Sequence, residues 1–270
     1  MEIENILQEL DNLFRTGQIG RVESFLTEHY ERAKAERDFG AQLSLLNELI
    51  GYYREMTMHR QAEETAERIL AVIAEAGLTG TLAEGTSLMN IANAYRFLGR
   101  YEASEKCYRR VEEIYGKLLD RADMRWASLF NNVSLLYSTL GNHELAAGSL
   151  QKALETIRAR EGTEIEQAVT YTNLGQAYLR MQNDVAAEEA LLEAERLFAL
   201  TDKKDSHYCG CANALGALYY SREQYEKAVS YYREALQNMR ETVGITENYR
   251  LVEENLRQAS EKLAAKRDSR

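Results

Sequence analysis

The chain has 270 residues, 45% of them hydrophobic and 28% charged, with no proline and a formal net charge of −10. Without proline, the commonest punctuation of strands, sharp turns and disordered linkers is missing, and the Leu, Ala, Glu, Arg, Lys and Gln that fill the sequence are strong helix formers, so an all-α chain with glycine or polar turns is expected. Acidic and basic residues are interspersed and no segment gathers positive charge, which argues against nucleic acid as a partner.

The chain opens on MEIENILQEL, which is acidic and amphipathic. It is neither a basic and apolar leader nor a membrane span, and a soluble cytoplasmic protein is expected. From there an anchor recurs: Leu13, Tyr53, Tyr95, Tyr137, Tyr178 and Tyr219, at intervals of 40, 42, 42, 41 and 41. Nine positions after each lies Val22, Ala62, Ser104, Ala146, Ala187 or Ala228, all but the first small. Four further on comes Leu26, Ala66, Tyr108, Leu150, Leu191 or Tyr232, and three beyond that Ile69, Val111, Ala153, Ala194 and Ala235 in the later units. Offsets of four and three trace one helical face, and the apolar positions three and four before the anchor do the same for a preceding helix. Each unit is therefore two amphipathic helices, and because one unit cannot bury its apolar faces alone, neighbours must stack.

In chain order the predicted pairs span about 2–36, 38–79, 81–120, 122–161, 163–201 and 204–241. A final helix over about 246–266 carries Tyr249, Val252, Leu256, Ala259 and Leu263 at helical spacing and has no partner after it. It is expected to cap the array, with Glu253, Arg257, Glu261 and Lys262 on its polar outer face.

This pattern resembles the tetratricopeptide repeat, most clearly in MNIANAYRFLGRYEASEKCYRRV, NLGQAYLRMQNDVAAEEALLEA and ANALGALYYSREQYEKAVSYYREAL. The resemblance covers about residues 2–241 and implies one right-handed superhelical α-solenoid over residues 1–270. The unit of about 41 residues exceeds the usual 34 and in that respect resembles the longer repeats of kinesin light chains. Gly17, Gly99 and Gly141 stand where the family has a glycine after the first helix, suited to a left-handed cap. Thr57, Gln182 and Glu223 take that place in the other units, whose turns are expected to differ in detail.

Two motifs touch on chemistry. GTLAEGTS, residues 80–87, has the glycine spacing of a phosphate loop, but Thr86 stands where the lysine belongs and no strand precedes it, so it reads as a linker. HYCGC, residues 207–211, holds three metal-ligand types, yet only His207 and Cys211 share a helical face, so small residues packing at a helix start are expected instead. Too few for a disulfide framework, Cys107, Cys209 and Cys211 read as reduced fillers. The adjacent glutamates 112–113, 188–189 and 253–254 do not face one another on a helix and read as solvated surface. No catalytic residue, cofactor or metal is expected.

The resemblance places the first helix of each unit on the inner, concave wall. Five before the anchor lie Asn90, Asn132 and Asn173; six before it, Asn47, Asn131 and Asn213; two before it, Asn93 and Gln176; and one after it, Arg96 and Tyr220. Asparagine is a mediocre helix former, so its recurrence at fixed register needs a reason. The resemblance implies that these amides grip the backbone of a bound peptide or protein; the alternative is that they bond one another or the neighbouring helix and register the stack. The expected function is a protein- or peptide-binding adaptor or scaffold. A stand-alone sensor of a signalling peptide and a self-associating structural protein are the alternatives, with an enzyme last; homo-oligomerisation is open but not indicated.

Overall fold

The computed structural model describes residues 2–158, 160–201, 207–242 and 247–268, and among them the regular structure is helical with no strand. The chain forms two compact units, Met1–Arg121 and Ala122–Arg270. The first holds α1 (Ile3–Arg15), a 3-10 turn (Ile19–Arg21), α2 (Val22–Ala35), α3 (Phe39–Glu55), α4 (His59–Glu75), α5 (Leu82–Phe97) and α6 (Tyr101–Leu118). The second holds α7 (Met124–Thr139), α8 (His143–Ile157), α9 (Glu164–Arg180), α10 (Asp184–Leu200), α11 (Tyr208–Ser221), α12 (Tyr225–Thr242) and α13 (Glu247–Asp268). Successive helices pair, and the first helices of neighbouring pairs pack side by side, α3 on α5 and α9 on α11. This is a helical repeat solenoid fold. The predicted starts of the sixth pair at 204 and of the last helix at 246 lie outside the described residues.

Local chemistry sets where the helices begin and end. Asp38 accepts from the backbone N–H of Ala41 at 3.0 Å, Asp123 from that of Arg125 at 3.0 Å and Asn183 from that of Ala186 at 3.2 Å, each satisfying a donor that a helix start leaves open. The phosphate-loop spacing in residues 80–87 turns out to be a capping box. Thr81 caps α5 by accepting from Glu84 N–H, and the Glu84 carboxylate turns back to accept from Gly80 N–H. That carboxylate also accepts from two nitrogens of the Arg110 guanidinium, so the position an anion would seek is already filled.

At the other end of every first helix the anchor residue plays a backbone part. The carbonyls of Leu13, Tyr53, Tyr95, Tyr137, Tyr178 and Tyr219 accept from Gln18, Met58, Arg100, Asn142, Asn183 and Gln224, five residues on, at 2.8–2.9 Å. This six-to-one bond requires a left-handed residue just past the helix. Gly17, Gly99 and Gly141 supply it with φ of 70°, 73° and 76°, but so do Thr57, Gln182 and Glu223 at 56°, 57° and 56°. The expectation that the glycine-free turns differ is therefore corrected: the closing hydrogen bond holds them in the same conformation against the steric cost of a Cβ.

The cores follow the repeat. Val22, Leu26, Ile69, Val111, Ala146, Leu150, Ala187, Leu191, Ala228 and Ala235 are all essentially inaccessible to solvent. Where first and second helices approach most closely the repeat uses glycine: a Cβ on Gly175 would lie 2.5 Å from Leu191 Cγ, and one on Gly216 would lie 2.6 Å from a ring carbon of Tyr232. The last helix buries Tyr249, Val252 and Ala259 and packs mainly on α12, while Glu253, Arg257, Glu261 and Lys262 stay exposed.

Candidate functional site

The first helices carry the sequence-predicted residues, and each unit arranges its own set. In the first unit, Asn47 on α3 is half-buried and donates through Nδ2 to Ser87 Oγ of α5 at 3.1 Å. Its Oδ1 is buried with no partner in the protein. On α5, Asn90 is half-buried, while Asn93 is buried and accepts from the Tyr108 hydroxyl at 2.6 Å. Burial pushes that phenol up to about 12, opposed by the neighbouring Arg96 guanidinium, whose Nε is itself buried without a partner.

In the second unit, Asn131 on α7 donates through Nδ2 to Thr170 Oγ1 of α9 at 3.0 Å and to its own helix at Ala127 O. Its Oδ1 accepts from Asn173 of α9 at 3.4 Å. Asn132 donates only within its helix, to Ser128 O at 2.9 Å, and Gln176 is exposed. On α11, Asn213 is half-buried with its Oδ1 unpartnered, and Tyr220 is half-buried with its ring edge on Tyr225 at 5.6 Å.

The asparagine register thus divides by position. Six before the anchor, Asn47 and Asn131 make the same bond, amide to the hydroxyl that stands eight before the next anchor. Those hydroxyls, Ser87 and Thr170, were not singled out from the sequence; a Ser or Thr three residues before Asn90 and Asn173 was the signal for them. Asn90, Asn132 and Gln176 make no side-chain bond to a neighbouring repeat in the structure and stay available at the surface of their helices.

Latches on the opposite side of the anchors were also missed. The Tyr53 hydroxyl donates to Glu23 on α2 at 3.0 Å, and the Tyr219 hydroxyl to Glu188 on α10 at 3.0 Å. Burial first, then the adjacent carboxylate, pushes each phenol up to about 12. Arg222 completes the second latch by binding Glu188, whose carboxyl it holds below the usual range, and the Asp184 carbonyl. The readable signal was a glutamate directly after the small residue of the second helix, present as Glu23, Glu63, Glu105 and Glu188. Ala147 breaks the series, and there Gln151 donates to the Tyr178 hydroxyl at 3.1 Å instead.

Cys211 is fully buried, with Sγ 3.5 Å from the Leu191 carbonyl, and burial pushes its thiol up to about 12. Its sulfur faces the α10 backbone, the packing role expected of a filler. Among the described residues no group of three or more His, Cys, Asp or Glu is placed to hold a metal ion, and no helix is long and apolar enough to cross a membrane.

Tetratricopeptide repeat profiles match residues 42–117 and 127–199, and a second tetratricopeptide repeat profile matches residues 209–248. No curated protein matches the sequence. Among solved structures, BtubC (BKLC) from P. vanneervenii is 25% identical over 74% of this chain and 81% of its own, with a TM-score of 0.65. The nearly identical repeats of a putative kinesin light chain from Podosopora anserina are 17% identical over 79% of this chain and 98% of theirs, with a TM-score of 0.60. The apo form of the quorum sensor NprR from B. thuringiensis is 15% identical over 95% and 68%, with a TM-score of 0.66.

Proposed function

Since the chain belongs to the tetratricopeptide repeat family, we propose that it is a cytoplasmic adaptor that holds another protein or a peptide against the exposed face of its first helices, without catalysis or cofactor. One observation carries this reading: within each unit the first helices carry side-chain amides that the fold does not use to join repeats, Asn90 in the first unit and Asn132 and Gln176 in the second. Each such amide offers both a donor and an acceptor, which the C=O and N–H groups of a bound chain can pair with. The sensor alternative draws on likeness of fold alone, so the adaptor reading stands first.

The test is affinity purification of tagged protein beside an Asn90→Ala/Asn132→Ala/Gln176→Ala variant, with captured proteins identified by mass spectrometry. Partners lost from a variant with unchanged circular dichroism support the reading; partners retained equally by both refute it.

A further inference from the structure

We infer that the seam where α10, α11 and α12 meet is an acid-responsive joint, loosened while Glu195 is ionised and tightened when that carboxylate takes up a proton. The joint lies within the second unit and works the same way whatever the array binds.

Glu195 stands at a register that the other repeats keep either apolar and buried or fully in water. Seventeen positions after the anchor, the units of Leu13, Tyr137 and Tyr219 place Tyr30, Leu154 and Leu236, all buried, and those of Tyr53 and Tyr95 place Leu70 and Glu112, both exposed. Glu195 is half-buried there and accepts from the Tyr231 hydroxyl of α12 at 3.3 Å. Glu234, three residues beyond Tyr231, accepts from the Tyr208 hydroxyl of α11 at 2.8 Å, and the Tyr231 ring stacks on Tyr219 with centroids 5.6 Å apart.

The groups that face Glu195 are Tyr208, Cys211 and Tyr219 of α11, and Tyr231 and Glu234 of α12. Burial pushes the phenols and the thiol up, Cys211 and Tyr219 to about 12, so all four are uncharged at neutral pH. Among the described residues, the charge that acts on Glu195 is therefore another carboxylate, Glu234. The cations around α10 serve other glutamates: Arg196 pairs with Glu193 at 2.7 Å and Arg158 acts on it too, while Arg222 and Lys227 act on Glu188.

An ionised carboxylate drawn out of water without a counter-charge costs free energy, and a like charge beside it adds to the cost. Burial first, with Glu234 adding to it and the Tyr231 hydroxyl opposing, raises the Glu195 pKa above the ordinary 4.5. The folded state thus holds this proton more tightly than the unfolded chain does. The penalty is complete above the folded pKa, shrinks as pH falls through it and is gone below about 4.5, so acid strengthens the packing of the three helices. Glu188, seven residues earlier on α10, has the opposite sign, because Arg222 and Tyr219 favour its ionised form. One helix therefore carries a latch that acid releases and a joint that acid tightens.

The experiment is urea melts by circular dichroism on the full chain and on Glu195→Gln, from pH 7 down to 4.5, with the wild-type Glu195 carboxyl carbon followed by NMR over the same range. Glutamine keeps the size and an acceptor oxygen while removing the charge. Comparison at each pH cancels groups common to both proteins, His207 included. The expected result is a urea midpoint for Glu195→Gln above wild type at pH 7, a gap that closes toward pH 4.5, and a Glu195 resonance that titrates above 4.5. Tyr231→Phe keeps the ring on Tyr219 and deletes the hydroxyl; its midpoint should fall below wild type at pH 7, with a gap that narrows on acidification. A Glu195→Gln midpoint at or below wild type at pH 7, a gap in either variant that does not change with pH, or a resonance that titrates at or below 4.5 overturns the joint. If Glu195→Gln does not fold, the wild-type titration and Tyr231→Phe decide.

Discussion

Asn131 donates its side-chain amide to Thr170 Oγ1 at 3.0 Å, and 84 positions earlier Asn47 makes the same bond to Ser87. Both join the first helix of one repeat to the first helix of the next. Thr170 is fully buried and Ser87 nearly so, so the amide satisfies a hydroxyl that water cannot reach. Thr170 Oγ1 also donates to Glu166 O and Asn131 Nδ2 to Ala127 O, so removing one partner costs the other one of its bonds and leaves the rest in place. Asn131→Ala should destabilise the second unit by about 1–2 kcal/mol. Asn131→Ala/Thr170→Val should cost less than the sum of the single changes, with the difference read as a coupling energy in urea melts followed by the fluorescence of Trp126, the chain's one tryptophan. Strict additivity would show that the bond contributes nothing in solution.

A second prediction concerns the helix contact at Gly175. Its added Cβ would stand 2.5 Å from Leu191 Cγ and 3.3 Å from the Ala187 carbonyl, so backbone as well as side chain must move. Gly175→Ala raises helix propensity by about 1 kcal/mol, yet overpacking costs about 1–3 kcal/mol, and a net loss is expected. A lower urea midpoint than wild type checks it. Recovery in Gly175→Ala/Leu191→Ala would assign the loss to this contact.

At the left-handed turns the balance runs the other way. Thr57 is β-branched and holds φ at 56°, a conformation costing an L-residue about 1–2 kcal/mol. Against the entropy that glycine adds to the unfolded chain, Thr57→Gly should gain about 0.5–1 kcal/mol, and Gln182→Gly a similar or smaller amount. Both variants should shift circular-dichroism melts upward; a fall would mean that the turn is not held left-handed.

The Glu188 latch predicts a dependence on pH. Hydrogen bonding from Arg222 first, and from Tyr219 after it, lowers the Glu188 pKa below the ordinary 4.5. A carboxylate with a depressed folded-state pKa contributes stability that is present above about 4.5 and disappears as pH falls through the folded value. Because the pair is partly exposed, the contribution is modest, about 0.5–1 kcal/mol. Glu188→Gln should therefore melt below wild type at pH 7, and the gap should narrow as the pH drops below 4.5. A gap constant with pH would contradict the ionic part of the latch.

Much of this protein was legible in its residues because helix formation is a local affair. The recurrence of Tyr53, Tyr95, Tyr137, Tyr178 and Tyr219, the small residue nine positions later and the offsets of four and three specify amphipathic helix pairs from contacts within one or two turns. The asparagines of the register were equally open to inspection. Only the tertiary structure decided what they do. Whether an amide faces a partner or is spent within the fold depends on where a hydroxyl 39 or 40 residues away is carried by packing, and on this Asn47 and Asn131 part from Asn132 and Gln176. Likewise the turns at Thr57, Gln182 and Glu223 keep the shape of their glycine counterparts because the carbonyls of Tyr53, Tyr178 and Tyr219 close them, a constraint stronger than the preference of the turn residue itself. Spacing along a chain reports which residues share a face; the distance between helices, set by the small residues packed between them, determines which polar groups on that face are left over.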